Sequence, residues 1–366
     1  MNQYIKRESN FEFLRILSIC LIIAFHYVLK GKLSFESDTS FNKLLCDTCN
    51  YFGELGVNCF VLISGYFLSK SKSMFKLKKV LMFSLQVLFY MVLSQVILFA
   101  VKSPDSNIFS FRAYAFPLLT NRFWFISAYV ILYIISPYIN IVIESINKKQ
   151  FQFLLLSQII IWSVFPTIAY GEIGKNPESS SLYSRFIWLV VVYIIGAYIR
   201  KYDLVFLNSA KRCLLLFFSV LSLLIIYIVC CNFEILPAFI SNKYSSVYFS
   251  TPNSIVELLL SVSLFGVFSY IKVPNKPVIN YIASCTLGVY MLHDGELYKF
   301  LWQDIFKNAS HSNSHYLVLY ILSAVLIILM AGIVTESIRK PIEKSVGRFI
   351  DLIYDKALKF FKAREQ

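Results

Sequence analysis

Long uninterrupted apolar runs are the feature that most limits what this chain can fold into. Residues 213–231 form one such run, rich in Leu, Ile, Val and Phe, with no charged side chain. A stretch of about 20 mostly apolar residues is long enough to cross a bilayer as a helix. A transmembrane β-barrel would instead show short strands in which apolar and polar residues alternate. The pattern therefore predicts helices that span a membrane.

The composition of the chain narrows its class further. Hydrophobic residues make up 57% of the 366 residues and charged residues 15%, whereas a soluble domain has about 45–50% apolar and about 25% charged residues. Intrinsic disorder is excluded, because disorder requires low hydrophobicity. Eight cysteines in a chain of this length do not indicate a disulfide scaffold. We therefore predict one membrane domain over 1–366, with an all-α fold.

Ten segments read as candidate transmembrane helices, which predicts a polytopic bundle with an even number of spans. The second, sixth and ninth segments are the weakest, because they are short or are interrupted by Gly and polar residues. The ten segments are 12–29, 51–68, 80–101, 123–143, 152–170, 186–199, 213–231, 254–271, 279–297 and 316–337.

The net charge of +14 would suggest a nucleic-acid partner in a soluble protein. Here the basic residues lie in short loops between apolar runs, so membrane topology explains them and no nucleic acid is expected. With the N-terminus inside, the cytoplasmic segments hold 23 Lys and Arg residues and the outer segments 11. Since basic loops favour the cytoplasm, we predict that both termini are cytoplasmic. The basic tail, about 338–366, is expected to lie on the anionic inner leaflet as an amphipathic helix.

The first predicted span carries two ionisable residues, Arg15 and His26. Such residues inside a span are costly and usually functional. Eleven residues correspond to about three helical turns, so both side chains face the same direction, ~16 Å apart along the axis. Arg15 has the alternatives of reaching the interface or pairing with Glu12. His26 has the alternative of a hydrogen bond to a neighbouring helix.

Five short motifs, in order along the chain, resemble those of the membrane acyltransferase-3 family. The first is Glu12-Phe-Leu-Arg15 followed by His26-Tyr, and the second ends in Ser64-Gly-Tyr-Phe-Leu. The third is a Trp-Phe block, the fourth ends in Tyr-Met-Leu-His, and the fifth is a terminal acidic and basic block. Each motif is weak alone, and the five together span nearly the whole chain. They occupy residues 12–27, 56–68, 123–137, 284–293 and 336–343.

This resemblance implies transfer of an acyl group, most often acetyl, from a cytoplasmic acyl-CoA to a hydroxyl of a cell-envelope or exported polysaccharide. Acyl-CoA would be a substrate, and no bound cofactor is expected. The resemblance also implies the cell membrane of a bacterium, where the partners would be the bilayer, the donor and a glycan or lipid-linked sugar. A hydroxyl is a poor nucleophile near neutral pH, and a neutral imidazole is a suitable base for it. His26 would act as that base or would itself carry the acyl group.

Further residues of the motifs are candidates for the same site. A guanidinium at Arg15 suits a phosphate or a polarised carbonyl. Lysines that follow the second motif are candidates for the phosphates of the donor, although plain positive-inside topology explains them as well. These lysines are Lys70, Lys72 and Lys76, and the remaining supporting candidates are Ser64, Trp124, His293 and Glu336.

Two of these candidates have specific alternatives. His293 would line the approach of the acceptor or act as a second acid or base, or it is a satisfied interfacial histidine. Trp124 would stack on a sugar, or it belongs to an interfacial aromatic belt.

His311 and His315 have a spacing that suits a metal, but no third ligand is evident, so we predict no metal site.

Two other functions compete with acyl transfer. One is a transporter or flippase of lipid-linked sugars, which typically shows repeated halves or paired broken helices. The other is a glycan polymerase with a large basic outer loop. Neither the repeated halves nor the large basic loop is evident in the sequence. Acyl transfer is therefore the leading interpretation, and the other two functions remain alternatives.

Overall fold

The computed structural model describes residues 8–71, 77–102, 111–119, 121–168, 184–203, 208–235 and 245–362. These residues form helices and turns, with no strand among them. The helices are α1 (Ser9–Lys30), α2 (Phe41–Cys49), α3 (Phe52–Leu68), α4 (Leu77–Ala100), α5 (Phe111–Ala115), α6 (Trp124–Ser145), α7 (Lys148–Ile159), α8 (Arg185–Tyr202), α9 (Ala210–Asn232), α10 (Ile255–Tyr270), α11 (Pro277–Ala283), α12 (Thr286–Asp294) and α13 (Leu317–Lys362).

Seven helical segments in the described part of the chain are long and apolar enough to cross a membrane. They are formed by α1, α2 with α3, α4, α6, α7 with its continuation, α9 and α13. The prediction of an all-helical membrane protein is therefore confirmed. The predicted sixth, eighth and ninth spans fall on α8, on α10 and on α11 with α12, which lie outside this set of seven. The number of ten and the orientation of the termini stay predictions.

Helix α1 lies at the centre of the bundle. It packs against α3 on one side and against α10, α11, α12 and α13 on the others. Its apolar residues Phe11, Leu14, Ile19 and Ile23 are buried. Because neighbouring helices surround it, the polar side chains of α1 face protein rather than lipid.

Helices α3 and α8 cross at unusually short range. A Cβ atom on Gly65 would lie 2.1 Å from the carbonyl oxygen of Tyr193, and one on Gly196 would lie 2.4 Å from that of Leu62. Small residues allow helix backbones in membranes to approach closely. Glycine at both positions therefore brings these two backbones into direct contact.

The outer surface of the bundle is apolar. Helices α9 and α13 have the highest mean hydropathy of the seven segments. Only 17% of the apolar window of α9 is buried inside the protein. Large apolar side chains such as Phe99, Phe153 and Leu223 are exposed on α4, α7 and α9. In a membrane protein these side chains face the lipid chains, so their exposure needs no partner protein.

The predicted ninth span is broken into α11 and α12. Between them, Ser284 donates a hydrogen bond through Oγ to the carbonyl of Tyr281 (2.6 Å), and Thr286 donates through Oγ1 to that of Ala283 (2.8 Å). Hydroxyl groups that bond to backbone carbonyls compete with helical hydrogen bonds. At the break the backbone tightens, since the Cys285 N–H donates to the carbonyl of Ile282 (2.9 Å), three residues earlier.

Helix α13 contains 46 residues and continues through Pro341. At about 1.5 Å per residue it is about 69 Å long, more than twice the ~30 Å thickness of a hydrocarbon core. The segment assigned to the tail from the sequence is therefore, as far as Lys362, a continuation of this helix. Lys78 of α4 forms an ion pair with Asp351 on it (2.6 Å).

Candidate active site

A cavity of about 420 Å³ follows the length of α1. Arg15 lies on its wall at one end and Lys30 at the other, which corresponds to about 22 Å along the helix. Helices α3, α6 and α12 supply most of the opposite wall. Volumes of about 300–1,000 Å³ are typical of sites for small molecules, so the cavity is large enough for part of a substrate.

The charged groups of the wall divide between the two ends of the cavity. Arg15 lies at one end, and the wall also carries the uncharged polar residues Ser64 and Ser284. The other end, beside His26, carries the remaining charged residues, together with aromatic rings. Those charged residues are Lys30, Glu54, Arg185 and Asp294, and the rings are Phe25, Trp124, Phe125 and Tyr290.

Arg15 is held by its neighbour one turn earlier. Its Nη1 donates to both carboxylate oxygens of Glu12, at 2.8 and 2.9 Å. Glu12 is buried, and the Arg15 side chain is 29% exposed. The alternative that Arg15 pairs with Glu12 is therefore confirmed. Arg15 also lines the cavity.

His26 lies on the same cavity wall as Arg15 and is almost fully buried. Its Nε2 atom is 3.5 Å from Oδ1 of Asp294. Its Nδ1 atom has no hydrogen-bond partner among the described residues. The two ring nitrogens therefore have different surroundings, one facing a carboxylate and one without a partner.

Asp294, at the end of α12, is a site residue that the sequence reasoning did not single out. It lines the cavity and forms an ion pair with Lys30. The Lys30 ammonium also lies over the ring of Tyr298, 4.9 Å from its centre. The only signal for Asp294 in the sequence was its position directly after His293, the last residue of the fourth motif.

His293 is fully buried and is not among the residues that line the cavity. Its ring centre lies 5.1 Å from that of His26. Its Nδ1 is 2.6 Å from the carbonyl oxygen of Val289, and because a carbonyl only accepts, Nδ1 carries the proton. His293 thus packs against His26 instead of lying on the cavity wall.

Ser64 and Trp124 are both on the cavity wall. The Ser64 hydroxyl bonds to the carbonyl of Phe60 (2.9 Å) and lies 3.1 Å from the Tyr129 hydroxyl. The Arg185 guanidinium lies over the Trp124 ring at 4.7 Å. One face of the indole is therefore covered by a cation.

Glu336 lies apart from the cavity in a buried polar cluster. It accepts hydrogen bonds from Tyr90 (2.8 Å) and Gln86 (3.2 Å) of α4 and from Arg339 (2.8 and 2.9 Å). Arg339 also donates to Glu343 (2.6 Å). In this position Glu336 connects α4 with α13 and does not contact the space where a substrate would bind.

The structure describes one of the three lysine candidates. Lys70 is exposed just after the end of α3 and does not line the cavity. Lys72 and Lys76 lie outside the described residues. Their proposed contact with phosphate stays a prediction.

The two remaining histidines lie near the start of α13. The His311 ring stacks on Tyr320 with 3.8 Å between ring centres, and His315 is exposed. Across the described part of the chain, no three His, Cys, Asp or Glu side chains are grouped to hold a metal ion.

The comparison with protein families agrees with the resemblance of the motifs. The model of the acyltransferase-3 family, described as an acyltransferase domain, matches residues 8–335. No curated protein and no solved structure matches the chain. The family match covers α1 to α12 and most of the membrane part of α13. A match over this much of the sequence shows that the chain belongs to the acyltransferase-3 family of membrane acyltransferases.

Proposed function

We propose that the protein transfers an acyl group, acetyl in the first instance, from cytoplasmic acyl-CoA to a hydroxyl of a cell-envelope or exported polysaccharide. The observation that carries this proposal is the cavity along α1, with Arg15 at one end and His26 towards the other. A substrate on either side of His26 would reach the same imidazole. The site thus suits a reaction between a donor from one side of the membrane and an acceptor from the other.

The proposed reaction needs one proton acceptor. The acceptor oxygen attacks the thioester carbonyl as His26 removes the hydroxyl proton, and an O–C bond forms. The C–S bond then breaks, and the proton passes to the departing thiolate of coenzyme A. His26 suits this task because its side chain lies on the cavity wall between the two ends.

We propose ten crossings in the plasma membrane of a bacterium, and the excess of Lys and Arg in alternate loops supports cytoplasmic termini. In this orientation the Arg15 end of the cavity faces the cytoplasm. The donor would then approach past Arg15, whose guanidinium suits a phosphate or a thioester carbonyl. Lys70, Lys72 and Lys76 would extend the same basic surface for the phosphates of coenzyme A.

The end of the cavity beside His26 suits a carbohydrate acceptor. Phe25, Phe125 and Tyr290 offer apolar ring surfaces, while Asp294 and Lys30 offer polar groups at the same level. Sugars present both apolar faces and hydroxyl groups, so a wall of this kind complements them. The charged groups at this end orient the hydroxyl that accepts the acyl group.

The proposal is tested by the O-acyl ester content of surface glycan in the native host. Four strains are compared: wild type, a deletion, and the deletion carrying His26→Ala or His315→Ala at matched membrane levels. We expect ester to be lost in the deletion and in the His26→Ala strain, and to be restored by His315→Ala. Unchanged ester with less glycan at the surface of the deletion strain would favour export or polymerisation instead.

A further inference from the structure

Lys340 of α13 carries a positive charge that no carboxylate balances among the described residues. Its ammonium donates hydrogen bonds to the Ser284 hydroxyl (2.6 Å) and to the Cys285 sulfur (3.1 Å). It also lies over the Tyr281 ring, 4.4 Å from the ring centre. An ammonium has three N–H donors, so these two bonds leave one. Lys340 therefore keeps both a charge and a donor for an anion.

Ser284 connects Lys340 with the cavity. It is exposed and lines the cavity wall. Its hydroxyl donates to the carbonyl of Tyr281 (2.6 Å), so the oxygen is left to accept from Lys340. Lys340 is itself partly exposed. A ligand that lies against Ser284 can therefore also reach the ammonium.

The Ser284 part of the wall lies at the end of the cavity that carries Arg15. Helices α1 and α11 are joined near their starts by a hydrogen bond from Ser9 to Asn280 (2.9 Å). Helix α1 runs in the same direction as α11 and α12, because the end of α12 forms an ion pair with Lys30 at the end of α1. Arg15 is six residues beyond the first contact and Ser284 is four residues beyond it, which correspond to about 9 Å and about 6 Å in a helix.

Lys79 of α4 is a third cation near this part of the cavity. Its ammonium lies 4.3 Å from the centre of the Tyr133 ring and 5.9 Å from that of the Phe83 ring. Phe83 lines the cavity, and Lys79 is exposed. The ammonium of Lys79 is therefore next to the cavity wall and also open to an approaching ligand.

The packing of α4 against α13 brings Lys79 to the same end as Lys340. Gln86 of α4 donates to Glu336 of α13 (3.2 Å), and the ion pair that Lys78 forms with α13 shows that the two helices run antiparallel. Measured from the Gln86 contact, Lys79 is seven residues away and Lys340 is four residues away in the same direction. These separations correspond to about 10 Å and about 6 Å along the helices.

We propose that Arg15, Lys79 and Lys340 form a basic rim that binds the phosphate groups of the acyl-CoA donor. This inference deepens the proposed function and rests on it. The three cations come from α1, α4 and α13, so the rim exists only in the folded bundle. Lys340 follows residue 335, where the family match ends, and Lys79 is separate from the three lysines that the sequence suggested.

The chemistry of coenzyme A suits this arrangement. Its diphosphate and 3′-phosphate are anionic, and its pantetheine arm separates them from the thioester. Lysine binds phosphate as a point charge, whereas the guanidinium of arginine binds it through paired N–H groups. With the phosphates at the rim, the arm extends along α1 and brings the acyl group towards His26, which is about 16 Å from Arg15 along the helix axis.

Kinetics with two donors test the inference. Acetyl-CoA carries the phosphates, whereas acetyl-pantetheine has the same thioester and arm without them. In nanodiscs of phosphatidylcholine, Lys340→Gln should raise KM for acetyl-CoA roughly tenfold, the effect of one lost charge-assisted hydrogen bond, and leave kcat nearly unchanged. KM for acetyl-pantetheine should equal that of the wild type. Lys79→Gln should behave in the same way, and Lys340→Arg, which keeps the charge, should stay close to the wild type.

The matched control is Lys149→Gln on α7, at an exposed lysine that is not on the cavity wall. It should have the wild-type KM for both donors. A change in the fold would affect both donors alike, so an equal rise for acetyl-CoA and acetyl-pantetheine in Lys340→Gln would overturn the inference. An unchanged KM for acetyl-CoA in both Lys340→Gln and Lys79→Gln would overturn it as well.

Anionic lipid headgroups offer the same phosphate chemistry, and the composition of the membrane separates them from the donor. The kinetics are repeated in nanodiscs with and without phosphatidylglycerol. A selective rise of KM for acetyl-CoA in Lys340→Gln in both membranes supports the basic rim. A rise found only with phosphatidylglycerol would assign the lysine to the lipid and overturn the inference.

Binding of coenzyme A, measured by calorimetry without turnover, separates this inference from the proposed function. Absence of acyl transfer by the wild-type protein would overturn the proposed function. If coenzyme A still bound to that protein and bound more weakly to Lys340→Gln, the basic rim would stand. Transfer by the wild type with equal coenzyme A binding in Lys340→Gln would overturn the rim alone.

Discussion

Tyr90 of α4 donates a 2.8 Å hydrogen bond to Glu336 of α13, directly across from Gly288 of α12. A Cβ atom on Gly288 would lie 2.2 Å from the Glu336 carboxylate and 2.3 Å from the Tyr90 hydroxyl. The absence of a side chain at this position allows three helices to meet. Because α12 ends at Asp294, this junction also supports the helix that carries the candidate site residue.

Gly288→Ala should destabilise the protein, because the added methyl group has no space beside the Glu336 carboxylate. Overpacking typically costs about 1–3 kcal/mol, which predicts a clear fall in the unfolding midpoint of the protein in detergent. The matched control is Gly347→Ala on α13, where the nearest atom to the new Cβ is 3.8 Å away. An equal midpoint for the two variants would show that the junction has room for the methyl group.

Glu336→Ala should reduce stability more than Glu343→Ala. Glu336 is fully buried with Arg339, whereas Glu343 is partly exposed. Removing one partner of a buried pair costs about 3–5 kcal/mol. The Glu343 carboxylate is partly exposed, so water can replace it beside Arg339 and its removal should cost less. Thermal unfolding in detergent measures the difference, and the folded fraction of Glu336→Ala should keep its activity. Loss of activity in fully folded protein would instead place Glu336 in catalysis.

His26→Ala should lower the rate of acyl transfer by roughly 10²–10⁴-fold, the usual contribution of a general base. The rate is measured as acetyl groups transferred to purified glycan by protein in nanodiscs. His315→Ala is the control, since its ring is exposed. Comparable rates for the two variants would exclude the imidazole of His26 from the reaction.

Arg15→Lys should weaken donor binding although it keeps the positive charge. Arg15 uses only Nη1 for Glu12, which leaves its other N–H groups for a ligand in the cavity, whereas a lysine has one ammonium for both tasks. We expect KM for acetyl-CoA to rise roughly tenfold, comparable to the loss of one charge-assisted hydrogen bond. Arg348→Lys, at an exposed position of α13, is the matched control. An unchanged KM in Arg15→Lys would limit Arg15 to its pair with Glu12.

Rapid denaturation near neutral pH, where an acyl-imidazole hydrolyses more slowly than in acid, should separate direct transfer from transfer through an acylated His26. The protein is mixed with radiolabelled acetyl-CoA in the absence of glycan. Direct transfer predicts no protein-bound label above that of His26→Ala. Label that depends on His26 and passes to added glycan would establish the covalent route.

Local periodicity was sufficient to predict the shared cavity wall of Arg15 and His26, because both lie on one helix. It was not sufficient for Asp294, since its distance from His26 depends on how α1 and α12 pack. The sequence also gave no sign that His293 would lie behind the cavity wall. The break between α11 and α12 was missed because it is one tight backbone turn, from the Cys285 N–H to the Ile282 carbonyl, inside an apolar segment, and hydropathy does not record backbone geometry.

The contact between Gly65 and Gly196 fixes the position of α3 relative to α8. Since the backbones of α3 and α8 already touch, these helices have no slack to move closer and behave as one rigid wall. Arg185 of α8 and Glu54 and Ser64 of α3 all line the cavity. A substrate that contacts both helices therefore meets groups whose spacing is set by this backbone contact.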